Sequence, residues 1–258
     1  MHHKARRRFG QNFLTDESVL YGIVHSLGLR VDDALVEIGP GKGALTRLIY
    51  EKLPNFWAIE IDRDLVPLLR GSYPGVEVVE ADVLKYDFSD LFLRTEKQWR
   101  IIGNLPYNIS TPLLDLLLIH RGRIKDMHFM LQKEVVDRLC APPGTKSRGR
   151  LSIMMQYLCD IEKLMDVAPQ SFTPAPKVNS AFVRLSPKHD ILPLQDEQLF
   201  KKVVRVAFSQ RRKTLRNALK SYLTELPESG LNLNARPEEL RVEDYVALSN
   251  QLSDVGVQ

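Results

Sequence analysis

The sequence predicts an α/β domain built around a mostly parallel, doubly wound sheet, followed by a small all-helical domain. Three observations lead to this prediction. Short runs rich in Val and Ile alternate with helical patterns between residues 34 and 185, as in repeated strand-helix units. A glycine-rich turn follows the first of these runs, and only helical periodicity continues after a proline-containing break at residues 186–196. The predicted domains are therefore residues 1–187 and 188–258.

The composition is that of a globular protein. The chain has 258 residues, of which 44% are hydrophobic and 26% are charged, and these values argue against disorder and fibrous repeats. The longest apolar run is too short to span a bilayer, and no apolar core of signal-peptide type follows the basic N-terminus. We therefore expect a cytoplasmic protein without membrane contact. Two cysteines, and six histidines that lack metal-ligand spacing, predict no metal site.

The predicted elements follow from local patterns, taken in chain order. Thr15 and Asp16 are typical N-cap residues for an amphipathic helix before the sheet. Thr111, as the N-cap, followed by Pro112 at the first helical position predicts the start of a helix between the fourth and fifth strands. The predicted strands are Leu35–Ile38, Trp57–Ile61, Val76–Val79, Arg100–Ile102, Met127–Leu131, Leu164–Ala168 and Ala181–Leu185.

The segment Val36–Thr46, VEIGPGKGALT, is a glycine-rich turn between a strand and a helix. Gly39, Gly41 and Gly43 allow a sharp turn and a close approach of the backbone to a ligand. The helix N-terminus that follows offers unpaired N–H groups. Gly39, Gly41 and Ala44 also satisfy the dinucleotide fingerprint, so the motif indicates a nucleotide-type ligand and leaves its kind open. A purely structural turn is the alternative.

Polar residues recur after successive predicted strands. Glu60 lies 21 positions after Gly39, Asp82 lies 22 positions after Glu60, and Asn104 lies 22 positions after Asp82. One strand-helix unit has this length, so all four positions should project from one edge of the sheet, where ligands bind. Glu60 is placed to accept hydrogen bonds from ribose hydroxyls and Asp82 from an adenine amine, although a strand-end surface charge remains an alternative for Glu60. No Arg or Lys is placed to grip a pyrophosphate, which favours a small adenosine cofactor over NAD.

The tetrapeptide Asn104-Leu105-Pro106-Tyr107 is the most specific motif in the chain. An exocyclic adenine nitrogen is a poor nucleophile because its lone pair is delocalised into the ring, so methylating it requires a change towards tetrahedral geometry. The Asn104 side-chain oxygen and the Leu105 carbonyl are suited to accept its two N–H bonds and favour that geometry. Pro106 stiffens the turn, and Tyr107 offers a ring for stacking a flipped-out base. A proline turn with a core tyrosine is the alternative.

Taken together, these motifs resemble those of the small-subunit (16S) ribosomal RNA adenine N6,N6-dimethyltransferases, the family of the bacterial kasugamycin-sensitivity methyltransferase. The resemblance covers essentially the whole chain, with the motifs in the family order. It implies a Rossmann-like, seven-stranded class I methyltransferase sheet and a C-terminal helical domain that binds RNA or the ribosome. The motifs that carry it are Arg7–Leu14 (RRFGQNFL), Val36–Thr46, Glu60, Asp82, Asn104–Tyr107 and Phe208–Leu215 (FSQRRKTL).

The resemblance also implies a cofactor and a set of site residues. S-adenosylmethionine would be contacted by Asn12, Leu14, Gly39, Glu60, Asp82 and Asn104. The catalytic positions would be Asn104, Leu105, Pro106, Tyr107 and Phe172. The Phe172 ring would pack against the target adenine opposite Tyr107, and a core aromatic before a proline-rich turn is the alternative. Glu37 would contact the methionine moiety of the cofactor or be a buried, hydrogen-bonded strand residue.

The substrate implied by the resemblance is a pair of adjacent adenosines in the 3′-end hairpin loop of 16S rRNA within the 30S particle, with a role in subunit biogenesis. Acid-free basic stretches around Arg6–Arg8, Lys146–Arg150 and Arg211–Lys213 predict a polyanion-binding surface. We also expect a monomer. Two alternatives remain open: a 23S rRNA adenine N6-methyltransferase of the macrolide-resistance type, and a mainly non-catalytic 30S assembly factor. The segments Phe208–Lys213 and Gln170–Val178 favour the 16S interpretation over the 23S one.

Overall fold

The computed structural model of the protein describes residues 11–210, 212–220 and 230–256. The basic residues Arg6–Arg8 and Arg211, which the sequence predicts to contact RNA, lie outside the described residues. Within the described parts of the chain, no helix is long and apolar enough to cross a membrane.

The described elements alternate between strands and helices up to residue 187 and are helical after it. In chain order they are β1 (Phe13–Leu14), α1 (Glu17–Leu27), β2 (Ala34–Ile38), α2 (Ala44–Tyr50), β3 (Phe56–Glu60), α3 (Val66–Ser72), β4 (Val76–Glu80), α4 (Phe88–Phe92), β5 (Trp99–Asn104), α5 (Ser110–Leu118), β6 (Ile124–Gln132), α6 (Lys133–Leu139), α7 (Arg150–Leu158), β7 (Cys159–Val167), β8 (Phe172–Thr173), β9 (Ser180–Pro187), α8 (Glu197–Ser209), α9 (Leu215–Ala218) and α10 (Val242–Asp254).

The central sheet has seven strands in the order β4-β3-β2-β5-β6-β9-β7. The pairs from β4 to β6 are parallel, and β9 runs antiparallel to β6. All seven predicted strands are confirmed, as is the predicted α/β class. Every residue of β2 is buried, as expected for a parallel strand covered on both faces. The strand order reverses between β2 and β5, and such a reversal opens a ligand crevice beyond the carboxyl ends of the strands.

Two helix starts were predicted from cap residues; the start of α1 is accurate and the start of α5 is displaced by two residues. Asp16 is the N-cap of α1, and its carboxylate accepts hydrogen bonds from the N–H groups of Ser18 and Val19. Helix α5 begins at Ser110, so the prediction that Thr111 caps it is wrong by two residues, because Ile109 holds that position. Pro112 is accommodated within the first turn, where N–H groups have no intrahelical acceptor.

The chain divides into two compact units. One contains residues 1–136 and 161–187, and the other contains residues 137–160 and 188–258. The boundary predicted at 187/188 coincides with one of the points where the chain passes between units, but the sequence did not place residues 137–160 with the C-terminal helices. In that second unit, Ile153 and Tyr157 of α7 share a buried apolar cluster with side chains of α8 and α10. This packing is distant along the chain, so no local pattern indicates it.

Arg148 is almost completely buried within the second unit, with 1% of its surface exposed. Its Nη1 donates to the Ala141 carbonyl at 2.6 Å and to Gln156 Oε1 at 2.8 Å, and its Nε donates to the Leu240 carbonyl at 3.2 Å. Burial lowers the pKa of the Arg148 guanidinium. The side chain therefore joins three separate segments of this unit.

The burial of Arg148 corrects one part of the predicted RNA-binding surface. The sequence assigned the whole segment Lys146–Arg150 to a polyanion-binding face, and this is wrong for Arg148, whose donors are directed to backbone carbonyls and an amide inside the protein. Lys146 and Arg150 are exposed, so they are the cations of this segment that solvent and RNA can reach.

We expect Arg148→Ala to lower the free energy of unfolding by about 3 kcal/mol, because buried acceptors lose their donors. Urea unfolding followed by circular dichroism measures the change. Arg150→Ala is the matched control, since its side chain is exposed, and it should change stability by no more than about 0.5 kcal/mol. Equal effects of the two substitutions would contradict the structural role of Arg148.

Candidate functional site

A cavity of about 440 Å³ lies at the carboxyl edge of the sheet. This volume is within the range of roughly 300–1,000 Å³ that is typical of small-molecule sites. The structure brings together in its wall every site residue predicted from the sequence: Asn12, Leu14, Gly39, Glu60, Asp82, Asn104, Leu105, Pro106, Tyr107 and Phe172. Motifs separated by up to 160 positions therefore face one space.

The glycine-rich turn between β2 and α2 depends on left-handed backbone conformations. Gly39 and Gly41 have φ values of 67° and 59°, which residues with a side chain rarely adopt. A Cβ atom on Gly41 would lie 3.0 Å from the Phe13 ring, whereas a Cβ on Gly39 would meet no atom within 4 Å. The turn therefore packs closely on the N-terminal segment at Gly41 and leaves open space beside Gly39, where a ligand can approach the backbone.

Glu60, the last residue of β3, is 3% exposed and is held by two backbone donors. Its Oε2 accepts from the Gly41 N–H at 2.9 Å, and its Oε1 accepts from the Asp62 N–H at 2.8 Å. Burial raises the pKa of Glu60, although backbone N–H groups, those of Asp62, Gly41 and Ile61, favour its charged form and oppose the shift. A carboxylate offers about four acceptor positions, so the fixed Glu60 side chain keeps capacity to accept from a ligand hydroxyl.

Asp82 lies in the turn after β4 and contributes a second acidic side chain to the cavity wall. Its Oδ1 accepts from the Leu84 N–H at 3.1 Å, which fixes the orientation of the carboxyl group. Because β3 and β4 are adjacent and parallel, Glu60 and Asp82 lie at the carboxyl ends of neighbouring strands, as the spacing in the sequence predicts.

Glu37 in β2 is 2% exposed and also lines the cavity. The Thr46 hydroxyl donates to its Oε2 at 2.7 Å. Burial raises the pKa of Glu37 to about 8; the bond from Thr46 opposes this shift, and the neighbouring charge of Glu60 adds to it. Glu37 is thus a buried, hydrogen-bonded strand residue that also faces the cavity, and at neutral pH its neutral form predominates.

Asn104, the last residue of β5, is oriented by the N-terminal segment. Its Nδ2 donates to the backbone carbonyl of Asn12 at 2.9 Å. This bond commits the amide nitrogen to the protein and leaves the amide oxygen as the acceptor for a ligand. A predicted cofactor-binding residue, Asn12, therefore also orients the predicted catalytic amide.

The N-terminal segment reaches the cavity through a two-stranded antiparallel sheet that the sequence did not predict. In this sheet Leu14 of β1 is paired with Phe172 of β8, and Phe13 with Thr173. The Thr15 N–H also donates to the Ser171 carbonyl at 2.8 Å. Strands of two residues have no detectable periodicity, so only the tertiary structure could reveal that these distant segments are neighbours.

Two aromatic side chains contribute to the wall beyond Asn104. Tyr107 is half-buried, and its hydroxyl lies 2.8 Å from Ser180 Oγ. Phe172 is 4% exposed and packs in the apolar core while its ring also lines the cavity. The position of Phe172 accords with both interpretations from the sequence, so contact with a target base remains a prediction.

Several residues of the cavity wall were not singled out as site residues in the sequence. Met130 of β6 and Phe182 of β9 are register partners and add apolar surface. Their strand pattern indicates a core face and does not distinguish core from cavity. Lys42 lies inside the glycine motif, and its Nζ is 4.8 Å from the centroid of the Phe13 ring. Among the described residues, no group of three or more His, Cys, Asp or Glu side chains is arranged to hold a metal ion.

Comparison with known sequences connects this site to a protein family. The profile described as ribosomal RNA adenine dimethylase matches residues 2–254. A ribosomal RNA small subunit methyltransferase A from Marinobacter nauticus is 49% identical, with 98% of this chain and 94% of the relative covered. The protein of the same name from a Marinomonas species is 51% identical, with 96% and 95% covered.

Two solved structures have a similar fold over nearly the whole length of this chain. A dimethyladenosine transferase from Plasmodium falciparum superposes with a TM-score of 0.78 at 26% identity, covering 95% of this chain and 98% of the other. The 23S rRNA methyltransferase ErmE superposes with a TM-score of 0.69 at 26% identity, covering 94% and 100%.

We expect Glu37→Gln to remove a pH-dependent loss of stability. The pKa of Glu37 rises from its ordinary value of 4.5 to about 8 in the folded protein. The folded protein therefore retains a proton that the unfolded chain releases, so stability present below pH 4.5 is lost as the pH rises towards 8. Between pH 5 and pH 8, the free energy of unfolding of the variant should rise relative to wild type by roughly 1 kcal/mol per pH unit.

Urea unfolding of the ligand-free proteins at several pH values measures this difference. Glutamine keeps an acceptor for the Thr46 hydroxyl, so the variant tests the titration rather than the hydrogen bond. Glu96→Gln is the control, because that side chain is fully exposed, and it should follow the wild-type curve. A difference between Glu37→Gln and wild type that stays constant with pH would show that Glu37 does not titrate with a raised pKa.

Proposed function

The chain belongs to the ribosomal RNA adenine dimethylase family, and from this premise we propose that it dimethylates N6 of two adjacent adenosines in the 3′-end hairpin loop of 16S rRNA within the 30S particle. The general activity follows from family membership: the protein is an S-adenosylmethionine-dependent rRNA adenine dimethyltransferase. The relatives near 50% identity are named for the small subunit, whereas the 23S enzyme ErmE is 26% identical, and this difference favours 16S rRNA over 23S rRNA.

The observation that carries the proposal is the position of Asn104-Leu105-Pro106-Tyr107 in the same cavity wall as Glu60. A fixed carboxylate suited to a ribose diol and an oriented amide acceptor are the two features that methyl transfer from a nucleoside donor to an adenine amine requires. Both face one cavity, so donor and acceptor can be held within reacting distance. Such orientation supplies much of the rate enhancement in group transfer.

The residues of the cavity fit S-adenosylmethionine. This cofactor supplies a methyl group on a positively charged sulfur, so the donor needs no activation by the protein. Glu60 accepts hydrogen bonds from the ribose hydroxyls, and Asp82 accepts from the adenine amine. The open space beside Gly39 admits the ligand to the backbone, and Asn12 and Leu14 cover it from the N-terminal segment.

The target adenine is held by the remaining residues of the wall. Asn104 Oδ1 and the Leu105 carbonyl accept the hydrogens of the exocyclic amine and favour tetrahedral geometry at nitrogen, which directs its lone pair out of the ring system. Tyr107 and Phe172 provide the aromatic surfaces between which the extruded base is stacked. The amine loses one proton for each methyl group that it gains, and release of this proton to water after the attack completes the transfer.

The RNA partner is held by exposed cations. Lys146, Arg150, Arg212 and Lys213 are exposed and are suited to neutralise phosphates, and we assign Arg6–Arg8 and Arg211 to the same role from their sequence. The protein acts as a monomer in the cytoplasm, on a 30S particle during its assembly.

Transfer of labelled methyl groups from S-adenosylmethionine to 30S particles from cells that lack this modification tests the proposal. Mass spectrometry of the modified nucleosides should find N6,N6-dimethyladenosine in the 3′-end hairpin. Naked 23S RNA is the competing substrate and should remain unlabelled. Label in 23S RNA but not in 30S particles would overturn the substrate assignment while leaving the cofactor site intact.

We expect Asn104→Ala to reduce methyl transfer by about 100-fold or more, because the acceptor that favours tetrahedral geometry at the amine is lost. Affinity for S-adenosylmethionine, measured by calorimetry, should fall much less than turnover, since Asn104 is only one of the predicted cofactor contacts and Glu60 and Asp82 remain. Asn55→Ala is the control, because Asn55 is exposed and precedes β3 at the opposite edge of the sheet. Wild-type turnover by Asn104→Ala would remove the central role proposed for this amide.

The same variant separates catalysis from a role in assembly. If Asn104→Ala binds 30S particles and supports their maturation without methylating them, the binding function is the dominant one in the cell. If maturation fails together with methylation, the enzymatic activity is required.

We expect the Arg212→Ala/Lys213→Ala double variant to weaken binding to 30S particles and to reduce its salt dependence. Each lost phosphate contact should lower the slope of log affinity against log salt concentration by about 0.7 to 0.9. Filter binding between 50 and 200 mM salt, roughly the range over which such effects are large, measures the slope. The Arg30→Ala/Lys52→Ala control removes two exposed cations that precede β2 and β3, and an equal loss of slope there would rule out a localised surface.

A further inference from the structure

The hydroxyl groups of Tyr107 and Ser180 form a hydrogen bond of 2.8 Å between the cavity wall and the sheet behind it. Tyr107 lines the cavity and is half-buried, whereas Ser180 has no exposed surface and lies outside the lining. Ser180 therefore cannot touch a ligand in this cavity. Any effect that it has on the reaction must pass through Tyr107.

Ser180 is held in place by the sheet rather than by a loop. It is the first residue of β9 and is the register partner of Gln132 at the end of β6. The carbonyl of the preceding residue, Asn179, accepts from the Lys133 N–H at 2.9 Å. The Ser180 hydroxyl is thus a fixed point at the end of the β6–β9 pair, which has hydrogen-bonded neighbours on both sides in the sheet.

Tyr107, by contrast, lies in the turn after β5, where its ring has the cavity on one side. The hydroxyl of a tyrosine lies on the long axis of the ring, so a bond to this hydroxyl determines where the axis points. The hydrogen bond to Ser180 thereby stabilises one χ1 rotamer of Tyr107 over the other staggered rotamers. Without the bond, the half-buried ring of Tyr107 could populate rotamers in which its face no longer bounds the cavity.

We propose that Ser180 is a positioning residue that holds the Tyr107 ring in place as the wall against which the target adenine stacks. The inference rests on the proposed function, in which Tyr107 packs against the extruded base. An adenine extruded from the RNA then stacks on a Tyr107 ring that is already ordered. Base binding therefore does not carry the entropic cost of ordering this ring. Loss of the bond should therefore affect the use of RNA much more than the binding of cofactor.

The test is a double-mutant cycle in methyl transfer to 30S particles that lack the modification. Ser180→Ala and Tyr107→Phe should each lower kcat/KM by about tenfold, the effect expected for one neutral hydrogen bond. The Ser180→Ala/Tyr107→Phe double variant should be no slower than either single variant, because both changes remove the same bond. Affinity for S-adenosylmethionine should change by less than about twofold in all three proteins.

Tyr107→Ala separates this inference from the function on which it rests. If Tyr107→Ala has wild-type activity, the stacking role of Tyr107 is wrong, and the role of Ser180 is wrong with it. If Tyr107→Ala is strongly impaired while Ser180→Ala and Tyr107→Phe are fully active, the stacking role stands and only the positioning by Ser180 is overturned. The positioning role of Ser180 would also be overturned if the loss of kcat/KM in the double variant equalled the product of the two single losses.

Two further variants control for a general loss of stability. Ser249→Ala removes another buried hydroxyl, in α10, and should leave methyl transfer unchanged. Ser180→Thr keeps a hydroxyl at the same place and should retain more activity than Ser180→Ala. Should Ser180→Ala not fold, Tyr107→Phe breaks the same bond from the cavity side, so a fully active Tyr107→Phe would by itself contradict the proposal.

Discussion

The parallel pairing of β2 with both β3 and β5 is the constraint on which the rest of the structure depends. Parallel strands end at the same edge of a sheet, so the chain must deliver the residues after each strand to one side of the molecule. Gly39, Glu60 and Asn104 are neighbours for this reason. The bond from the Gly41 N–H to Glu60 shows the result at atomic scale, because it links the turn after one strand to the end of the next.

Several hydrogen bonds and strand pairs hold the side chains of the site in place. The Asn12 carbonyl holds the Asn104 amide nitrogen, and the β1–β8 pair carries both the N-terminal segment and Phe172 to the cavity. Ser180 bonds to Tyr107 from within the sheet. Methyl transfer from an activated donor depends chiefly on orientation, so we expect such contacts to affect the rate of the reaction.

Burial disfavours the charged form of two ionisable side chains, raising the pKa of Glu37 and lowering the pKa of Arg148. Glu37 lies in a fully buried strand close to another carboxyl group, and the pKa of its side chain rises to about 8, so its neutral form predominates at neutral pH. The donors of the Arg148 guanidinium are directed to three oxygen acceptors inside the protein, so this side chain is not available to RNA. Residue type alone predicts neither the raised pKa of Glu37 nor the inaccessibility of Arg148, because both depend on the atoms that surround the side chain.

The sequence by itself determined the seven strands and the sheet edge at which Gly39, Glu60, Asp82 and Asn104 meet, because the periodic patterns and the spacing of these residues are local properties of the chain. Asn12, Leu14 and Phe172 were predicted only through the resemblance to a known family. Tertiary structure alone decided that β1 pairs with β8, that residues 137–160 join the C-terminal helices, that Arg148 is buried and that Ser180 supports Tyr107. These four features are contacts between distant segments. They are selected by the free energy of packing in three dimensions, which no window along the sequence contains.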